Sequence, residues 1–563
     1  MAKGTDILSS KKKLEDVVSD YGADIKAKLS SPTVTGAPED QLRNPLEELF
    51  KELAEIAGYA SGAVRLIGET TLAALSTRPD FAVTRSKALI GHIEVKAPGK
   101  GADPRKFSDR HDKTQWTKLR SLPNIMYTDG TAFSLWRDGE LAGKVVQLTG
   151  DVETSGKNLK APPELLPLFQ DFLSWDPIPP RSPRELASVS ARLCRLLRDE
   201  VEEELARGSA SLKALAEDWR ELLFPEADNA QFADGYAQAV TFGLLMAKSQ
   251  ALSLAAGIDH AALELRKANS LIGSALRLLT DDSATRKSLE TSLDTLVRVL
   301  DVVDWAKLSK GQPDAWLYFY EDFLADYDNK LRKSTGSYYT PPEVVEAMVR
   351  LVDEALRDPA LFGKRLGLAD GSVKIADPAV GTGTYLLGVL RRIASTVEAD
   401  KGAGAVPGAI DAAIKRLIGF ELQFGPFAVA QLRLIAEILD LTGKPITKGT
   451  AIPEPRLFIT DTLGDPFHET HFPAMLAPIG KSYQDANKIK REEEINVVVG
   501  NPPYKEKAKG RGGWIEEGTK GREAPLGRWM PPAAWGVGAH AKHLRNLYIY
   551  FWRWATWKVF GSG

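Results

Sequence analysis

A single cysteine, Cys194, stands in a chain of 563 residues. That scarcity excludes a disulfide framework and a cysteine-rich zinc site within the chain, and it points to a reducing cytoplasmic setting. Cys194 lies in a helical pattern and reads as a small packed side chain. No run of about eighteen apolar residues occurs, so no membrane-spanning segment is expected. The first residues, MAKGTDILSSKKKLEDV, lack the apolar stretch of a secretory signal. Neither sign of charge is in excess: 73 Lys and Arg against 75 Asp and Glu leave a net charge of −2. Any nucleic-acid contact must therefore come from local basic patches, not from a global positive field. A G-x-x-x-x-G-K-[ST] phosphate loop is also missing, and with it an internal ATP-driven motor.

What is present is an ordinary globular composition, 43% hydrophobic and 26% charged, and enough length for roughly three or four domains. The most informative stretch is Asn501-Pro502-Pro503-Tyr504. It follows Gly500 and the apolar run Ile495 to Val499, which reads as a buried strand of a parallel sheet. Ligands of open α/β sheets bind just past the carboxyl ends of such strands. The residue types suit one chemistry. An exocyclic amine of adenine is a poor nucleophile because its lone pair is delocalised into the ring. The Asn501 side-chain oxygen and a following backbone carbonyl can accept both amine hydrogens, which frees that lone pair toward a methyl donor. Pro502 stiffens the loop, and Tyr504 offers a face for a flipped base. Flipping costs a few kcal/mol, of which one aromatic stack returns roughly 1–3 kcal/mol. The plainer reading is an Asn-Pro turn closing a strand.

Companions lie upstream. In Tyr338-Tyr339-Thr340-Pro341-Pro342, Thr340 reads as an N-cap before a helix from about Pro342 to Leu356. The run VKIADPAVGTGTYLLGVL (373–390) reads as a strand ending at Asp377-Pro378, then a Gly381-Thr382-Gly383 turn opening a helix. Glycines there let a ligand approach the backbone, and the helix N-terminus suits a carboxylate. LIGFELQ places Glu421 at a second strand end, suited to two ribose hydroxyls, and LFITDTL places Asp461 at a third, suited to a purine amine. Together these residues resemble the adenine-specific, amino-methylating DNA methyltransferases of the gamma arrangement, over residues 336–504. The resemblance implies a Rossmann-like domain in which Thr340, Asp377, Gly381, Gly383, Glu421 and Asp461 hold S-adenosylmethionine. Asn501, Pro502 and Tyr504 would hold the target base.

The front of the chain carries a second pattern: Pro79-Asp80, a thirteen-residue gap, then Glu94-Val95-Lys96. Adjacent strands would bring Asp80 and Glu94 side by side, and alternation puts Glu94 and Lys96 on one face. Two carboxylates hold a hard cation such as Mg2+. That cation activates a water and stabilises charge on a phosphate, while Lys96 orients the water or neutralises the phosphate. A solvated hairpin is the alternative. With the helical HDKTQWTKLRSLP and two strand-like runs that follow, the segment resembles the PD-(D/E)xK nuclease superfamily, more closely nuclease domains fused to bacterial restriction–modification enzymes. The resemblance implies metal ligands Asp80 and Glu94, catalytic Lys96, a helix Gln115 near the metal, and Glu47 or Glu48 as a further acid.

Four prolines within Asp176–Pro183 mark a boundary, and residues 184–333 are almost wholly helical in pattern. The expected fold is a multidomain α/β chain: a nuclease-like domain over 1–175, a proline-rich linker over 176–184, an all-α connector over 185–333 and a methyltransferase domain over 334–563. After Tyr504, KEKAKGRGGWIEEGTKGREAPLGRWM reads either as a solvated loop or as a DNA-facing one. The methyltransferase is expected to be incomplete at its C-terminal end, without the further strands and target-recognition domain of the family. The whole resembles single-chain bacterial restriction–modification enzymes, type IIG or type ISP without the helicase. It implies duplex DNA as partner, no membrane, and further subunits or a separate target-recognition chain. Two rivals stay open: a methyltransferase with an inactive nuclease-like domain, and a non-catalytic assembly subunit.

Overall fold

The structure, a computed structural model, describes residues 12–30, 37–68, 79–85, 88–222, 227–267, 273, 276, 280, 282–309, 319–328, 340–444, 455–468 and 477–561. The Gly336–Tyr339 lead-in lies outside them. The chain divides into two compact units: residues 1–178 with 195–207 and 289–302, and residues 179–194 with 208–288 and 303–563. From 183 to 327 every described element is a helix, and these helices are shared between the two units. No described helix is long and apolar enough to cross a membrane.

The first unit is built on a six-stranded sheet in chain order. Its strands are β1 (Val64–Gly68), β2 (Phe81–Arg85), β3 (Ala88–Val95), β4 (Ile125–Thr128), β5 (Ala132–Arg137) and β6 (Glu140–Gln147). Only β3 and β4 run parallel, and the connection between them carries the helix Arg110–Leu119. Strand alternation sorts the side chains. Val83, Ile93, Val95, Met126, Phe133 and Leu135 face one core with the helices Leu14–Leu29, Pro38–Ile56 and Leu165–Leu173. Ile125, Tyr127 and Trp136 face the other, with Phe107, Leu119, Leu122 and Leu196. His92, Glu94 and Lys96 belong by parity to this second face, and all three are buried. An apolar layer on each side thus encloses a short row of polar groups.

The second unit holds a four-stranded, fully parallel sheet. Its order is β10 (Val497–Val498), β7 (Ile375–Asp377), β8 (Leu417–Glu421), β9 (Arg456–Ile459). The runs are short and continuously apolar, as strands covered on both faces must be. One face packs Ala376, Ile418 and Phe420 against Ala486 and Ile489 of the helix Ala477–Glu492 and Tyr550, Trp554 and Trp557 of the helix Leu547–Phe560. The other receives the helices Thr384–Lys401 and Phe424–Thr442. The chain proceeds from β7 to β8 to β9, then returns to the far side of β7 as β10. That reversal opens a crevice at the carboxyl ends of β7 and β10.

The helix Asn229–Ser249 packs on Phe424–Thr442, the helix that follows Glu421. Gly425 permits the approach: a Cβ there would lie 2.1 Å from Gln238 Oε1. Tyr320 donates to Gln238 Oε1 at 3.3 Å and Tyr327 to Asp234 Oδ1 at 2.6 Å. Two expectations change here. Thr340 does not cap a helix: Pro341 is the N-cap of Pro342–Arg357, and the Thr340 hydroxyl faces Asn501 instead. The stretch after Tyr504 is not a solvated loop throughout, because Trp514 and Ile515 are buried in the sheet core and Arg553 lies 5.6 Å over the Trp529 ring.

Gly419, in the middle of β8, tests this packing. A Cβ there would meet Leu457 Cδ2 and Val380 Cγ2, each at 2.5 Å. Gly419→Ala should lower stability by about 1–3 kcal/mol, read as a shift of the urea midpoint at unchanged slope.

Candidate functional site

At the β7/β10 crevice three strands end on carboxylates. Asp377 closes β7, Glu421 closes β8, and Asp461 follows β9 by two residues. Each carboxylate is held by amides of the turn that follows its strand. Asp377 Oδ1 accepts from Ala379 at 3.0 Å. Glu421 accepts from Leu422 at 2.9 Å and Gln423 at 2.8 Å, and from Gly381 at 2.9 Å across the crevice. Asp461 Oδ1 accepts from Leu463 at 2.9 Å. Burial nevertheless dominates: it pushes the Asp377 carboxyl up to about 7, with the Glu421 charge adding to it, and it raises Glu421 and Asp461 as well.

The glycines make room. Gly381 and Gly383 both have positive φ, and Gly383 is the left-handed N-cap of Thr384–Lys401. A Cβ on Gly381 would meet nothing within 4 Å, so the helix start faces open space, as a ligand cradle must. Gly500 serves differently: a Cβ there would lie 2.5 Å from Asp377 Oδ1. The loop after β10 passes over the end of β7 only because residue 500 has no side chain.

Asn501 stands next in that loop. Its Nδ2 donates to Thr340 Oγ1 at 3.1 Å, and its Oδ1 accepts from the Tyr504 hydroxyl at 2.9 Å. The Tyr504 ring is more than half exposed and lies parallel to Tyr548, centroids 5.3 Å apart and planes 13° apart. Thr340, Asn501 and Tyr504 thus form one hydrogen-bonded row at the crevice. Thr340 orients the amide so that its oxygen, not its nitrogen, faces Tyr504. Pro502 is buried beside it. Tyr548 and Lys490 escaped the sequence reading. Lys490 sits in KIKRE, which has the look of a solvated run, although it falls four residues after the buried Ala486.

In the first unit the register that pairs Phe81 with Ile93 brings Asp80 opposite Glu94. Asp80 accepts from the Val95 amide at 2.7 Å and from Arg43 at 2.5 Å. Lys96 Nζ contacts Glu94 Oε1 at 2.8 Å, Gln115 Oε1 at 2.5 Å and Asp112 Oδ1 at 3.0 Å. Burial, with Asp80 adding to it, pushes the Glu94 carboxyl up to about 8 against the pull of Lys96. Burial works against the Lys96 charge too, but Glu94 and Asp112 prevail and hold it above the ordinary lysine value, a fixed cation. Glu94 Oε2 and Tyr127 Oη are buried and accept or donate nothing. A buried carboxylate oxygen without a partner, beside a second carboxylate, is the donor chemistry that a hard divalent cation takes.

Gln115 joins this cluster, whereas Glu47 and Glu48 pair with Lys51. The residue of that helix that reaches Asp80 is Arg43. Asp112 and Lys100, which pair with each other, were missed. The signal for Asp112 was its spacing of three from Gln115, which puts both on one helix face. Asp109, His111 and Asp112 also lie near one another, but Asp112 is already neutralised by Lys96 and Lys100.

Comparison with known proteins places one part of the chain. Residues 312–523 match the family N-6 DNA Methylase, and that segment is an N-6 DNA methylase domain. No curated protein matches the chain. Among solved structures, it is similar to the DrdV–DNA complex at 20% identity and a TM-score of 0.44, over 97% of this chain and 49% of that one. It is similar to LlaBIII, an ATP-dependent Type ISP restriction-modification enzyme bound to DNA, at 17% identity and a TM-score of 0.47, over 67% of this chain and 24% of that one. A nuclease-deletion mutant of the Type ISP enzyme LlaGI with a DNA substrate mimic gives 17% identity and a TM-score of 0.45, over 66% and 28%. The chain spans half or less of the length of these structures.

The buried Asp377 carboxyl makes a signed prediction. Its folded value, about 7, stands above the ordinary 3.8. Its contribution to stability is therefore complete below about pH 4 and lost as pH rises through 7. Asp377→Asn should match the parent near pH 4 and exceed it in stability by about 1–4 kcal/mol at pH 8, measured as paired urea titrations at the two pH values.

Proposed function

We propose that this chain is the nuclease and methyltransferase part of a cytoplasmic restriction–modification or phage-defence enzyme that acts on duplex DNA. In this reading it methylates the exocyclic amine of adenine and cleaves unmethylated DNA. One observation carries the methyl-transfer half: Asn501, oriented by Thr340, adjoins Asp377 at the switch point where Glu421 and Asp461 also end their strands. The match of residues 312–523 to N-6 DNA methylases supports it.

S-adenosylmethionine, when bound, supplies an electrophilic methyl group. Glu421 suits its ribose hydroxyls, Asp461 its adenine amine, and the open N-terminus of Thr384–Lys401 its carboxylate. Asp377, Gly381, Gly383 and Thr340 complete the binding surface. On the substrate side, Asn501 Oδ1 gives up the Tyr504 hydroxyl and accepts an amine hydrogen of the flipped adenine. The carbonyl of Pro502 accepts the other. Withdrawing both hydrogens from the ring plane gives the nitrogen a directed lone pair. Tyr504, released from Asn501, stacks on the base, and Pro502 limits the loop to one conformation.

For the cleavage half, Asp80 and Glu94 are the residues that would hold Mg2+, which lowers the pKa of a bound water and offsets phosphate charge. Lys96, kept protonated by three acceptors, neutralises the phosphate rather than acting as a base. Asp112 and Gln115 hold it in place. A second reading keeps methyl transfer alone. It is favoured by one contact, the ion pair of Arg43 with Asp80, which already satisfies a carboxylate that the metal needs.

Two experiments test these readings. Labelled methyl transfer to mixed-sequence duplex DNA should fall about 10²-fold or more in Asn501→Ala, with S-adenosylmethionine still bound. Equal transfer by the variant would refute the assignment of Asn501. Asp80→Ala should abolish Mg2+-dependent nicking while methyl transfer persists. Nicking at the parent rate in Asp80→Ala would refute the nuclease assignment, and no nicking by the parent at any methylation state favours the second reading.

A further inference from the structure

Lys490 is a lysine with no exposed surface, on the helix Ala477–Glu492. Its three ammonium hydrogens go to Thr460 Oγ1 at 3.0 Å, the Asp461 backbone carbonyl at 2.6 Å and Asn487 Oδ1 at 3.3 Å. None of these acceptors carries a charge. The Phe420 ring lies 5.6 Å from the ammonium, and the Lys490 carbonyl accepts from Lys558 Nζ at 2.8 Å. A buried ammonium is costly to keep without an opposing charge. Burial prevails at both groups, pushing Lys490 down to about 8 and Asp461 up, and each is the charge that opposes that effect on the other.

Lys490 grips the Thr460 hydroxyl and the Asp461 carbonyl, while the Asp461 carboxylate accepts the Leu463 amide of the turn that follows. An ionised carboxylate only accepts hydrogen bonds, whereas a protonated one presents a donor. Which form stands at residue 461 decides whether a ligand N–H meets a charged acceptor or the weaker neutral one.

We propose that Lys490 is a positioning residue that keeps Asp461 an ionised acceptor, and so makes the cofactor site selective for a purine bearing a 6-amino group. The proposal deepens the methyl-transfer reading and rests on it for the identity of the ligand. Lys490 touches no ligand itself. It acts through the Thr460–Asp461 peptide, which it holds in place, and through its charge. A lysine that only filled the gap between helix and sheet would leave ligand choice unchanged on replacement by methionine, whatever the loss of one buried charge costs in stability.

The test is calorimetric titration of the full chain with S-adenosylhomocysteine and with its analogue carrying hydrogen in place of the 6-amino group. A hydrogen bond to a charged acceptor corresponds to a preference for the amine of roughly tenfold to a hundredfold. The parent should show that preference. Lys490→Met, checked for folding by circular dichroism, should lose most of it by binding S-adenosylhomocysteine more weakly while binding the analogue nearly as before. Lys490→Gln keeps a donor for the Asp461 carbonyl but not the charge, and it serves if the methionine variant does not fold. It too should lose the preference. A full amine preference in either folded variant overturns the proposal. A parent chain that binds neither ligand overturns the cofactor reading itself, and a parent that binds both equally overturns the role of Asp461 and with it that of Lys490.

Discussion

Burying a carboxylate at the end of a strand is the constraint around which the second unit is arranged. Water would solvate such a group better than most protein environments, so the fold must supply hydrogen-bond donors in its place. Here the donors are backbone amides of the turns that leave β7, β8 and β9. The turns are therefore tight, and glycine occupies them where φ is positive or space is short. The same amides mark the floor of the crevice. Gly500 extends the dependence to β10, since its bare Cα is what lets the Asn501 loop cross Asp377.

Satisfaction by amides is incomplete, and the remainder appears as raised carboxyl pKa values. At Asp461 the second unit opposes the effect of burial with Lys490, and burial still prevails. The first unit uses the same device more densely. Lys96 is shared among Glu94, Asp112 and Gln115, and Asp112 is shared between Lys96 and Lys100. Each member is necessary to the others, because removal of one leaves a buried charge unpaired. In both units, then, groups far from solvent are organised around carboxylates whose oxygens retain capacity for a further partner.

Much of this was legible in the sequence. Short, continuously apolar runs identified the parallel strands, and an acidic residue at or just past the run marked the carboxyl ends of β7, β8 and β9. Strand parity alone put Glu94 and Lys96 together, and the thirteen-residue gap put Asp80 opposite Glu94. Three of the residues that escaped are of one kind: Lys490, Asp112 and Arg43 are charged residues on helices, and a charged residue in a helical pattern is ordinarily assigned to solvent. Only tertiary packing distinguishes the rare buried one. The stretch after Tyr504 stood open between a solvated loop and a DNA-facing one, because its glycines, lysines and arginines suit either. Trp514 and Ile515 instead anchor that segment in the core, because a few large apolar side chains outweigh a polar average. Thr340 was assigned the helix cap, but Pro341 takes that position and the Thr340 hydroxyl is left for Asn501.

The buried state of Cys194 has a practical consequence. The thiolate is the reactive form of cysteine, and burial hinders a reagent's access to it. The chain is thus a cysteine-light background as it stands, with its one thiol out of reach of maleimides under native conditions. A cysteine introduced at an exposed position, such as Trp552 on the last helix, would carry the sole dye. Fluorescence from that position then reports on rearrangement beside Tyr548 and Tyr504 without a prior round of cysteine removal.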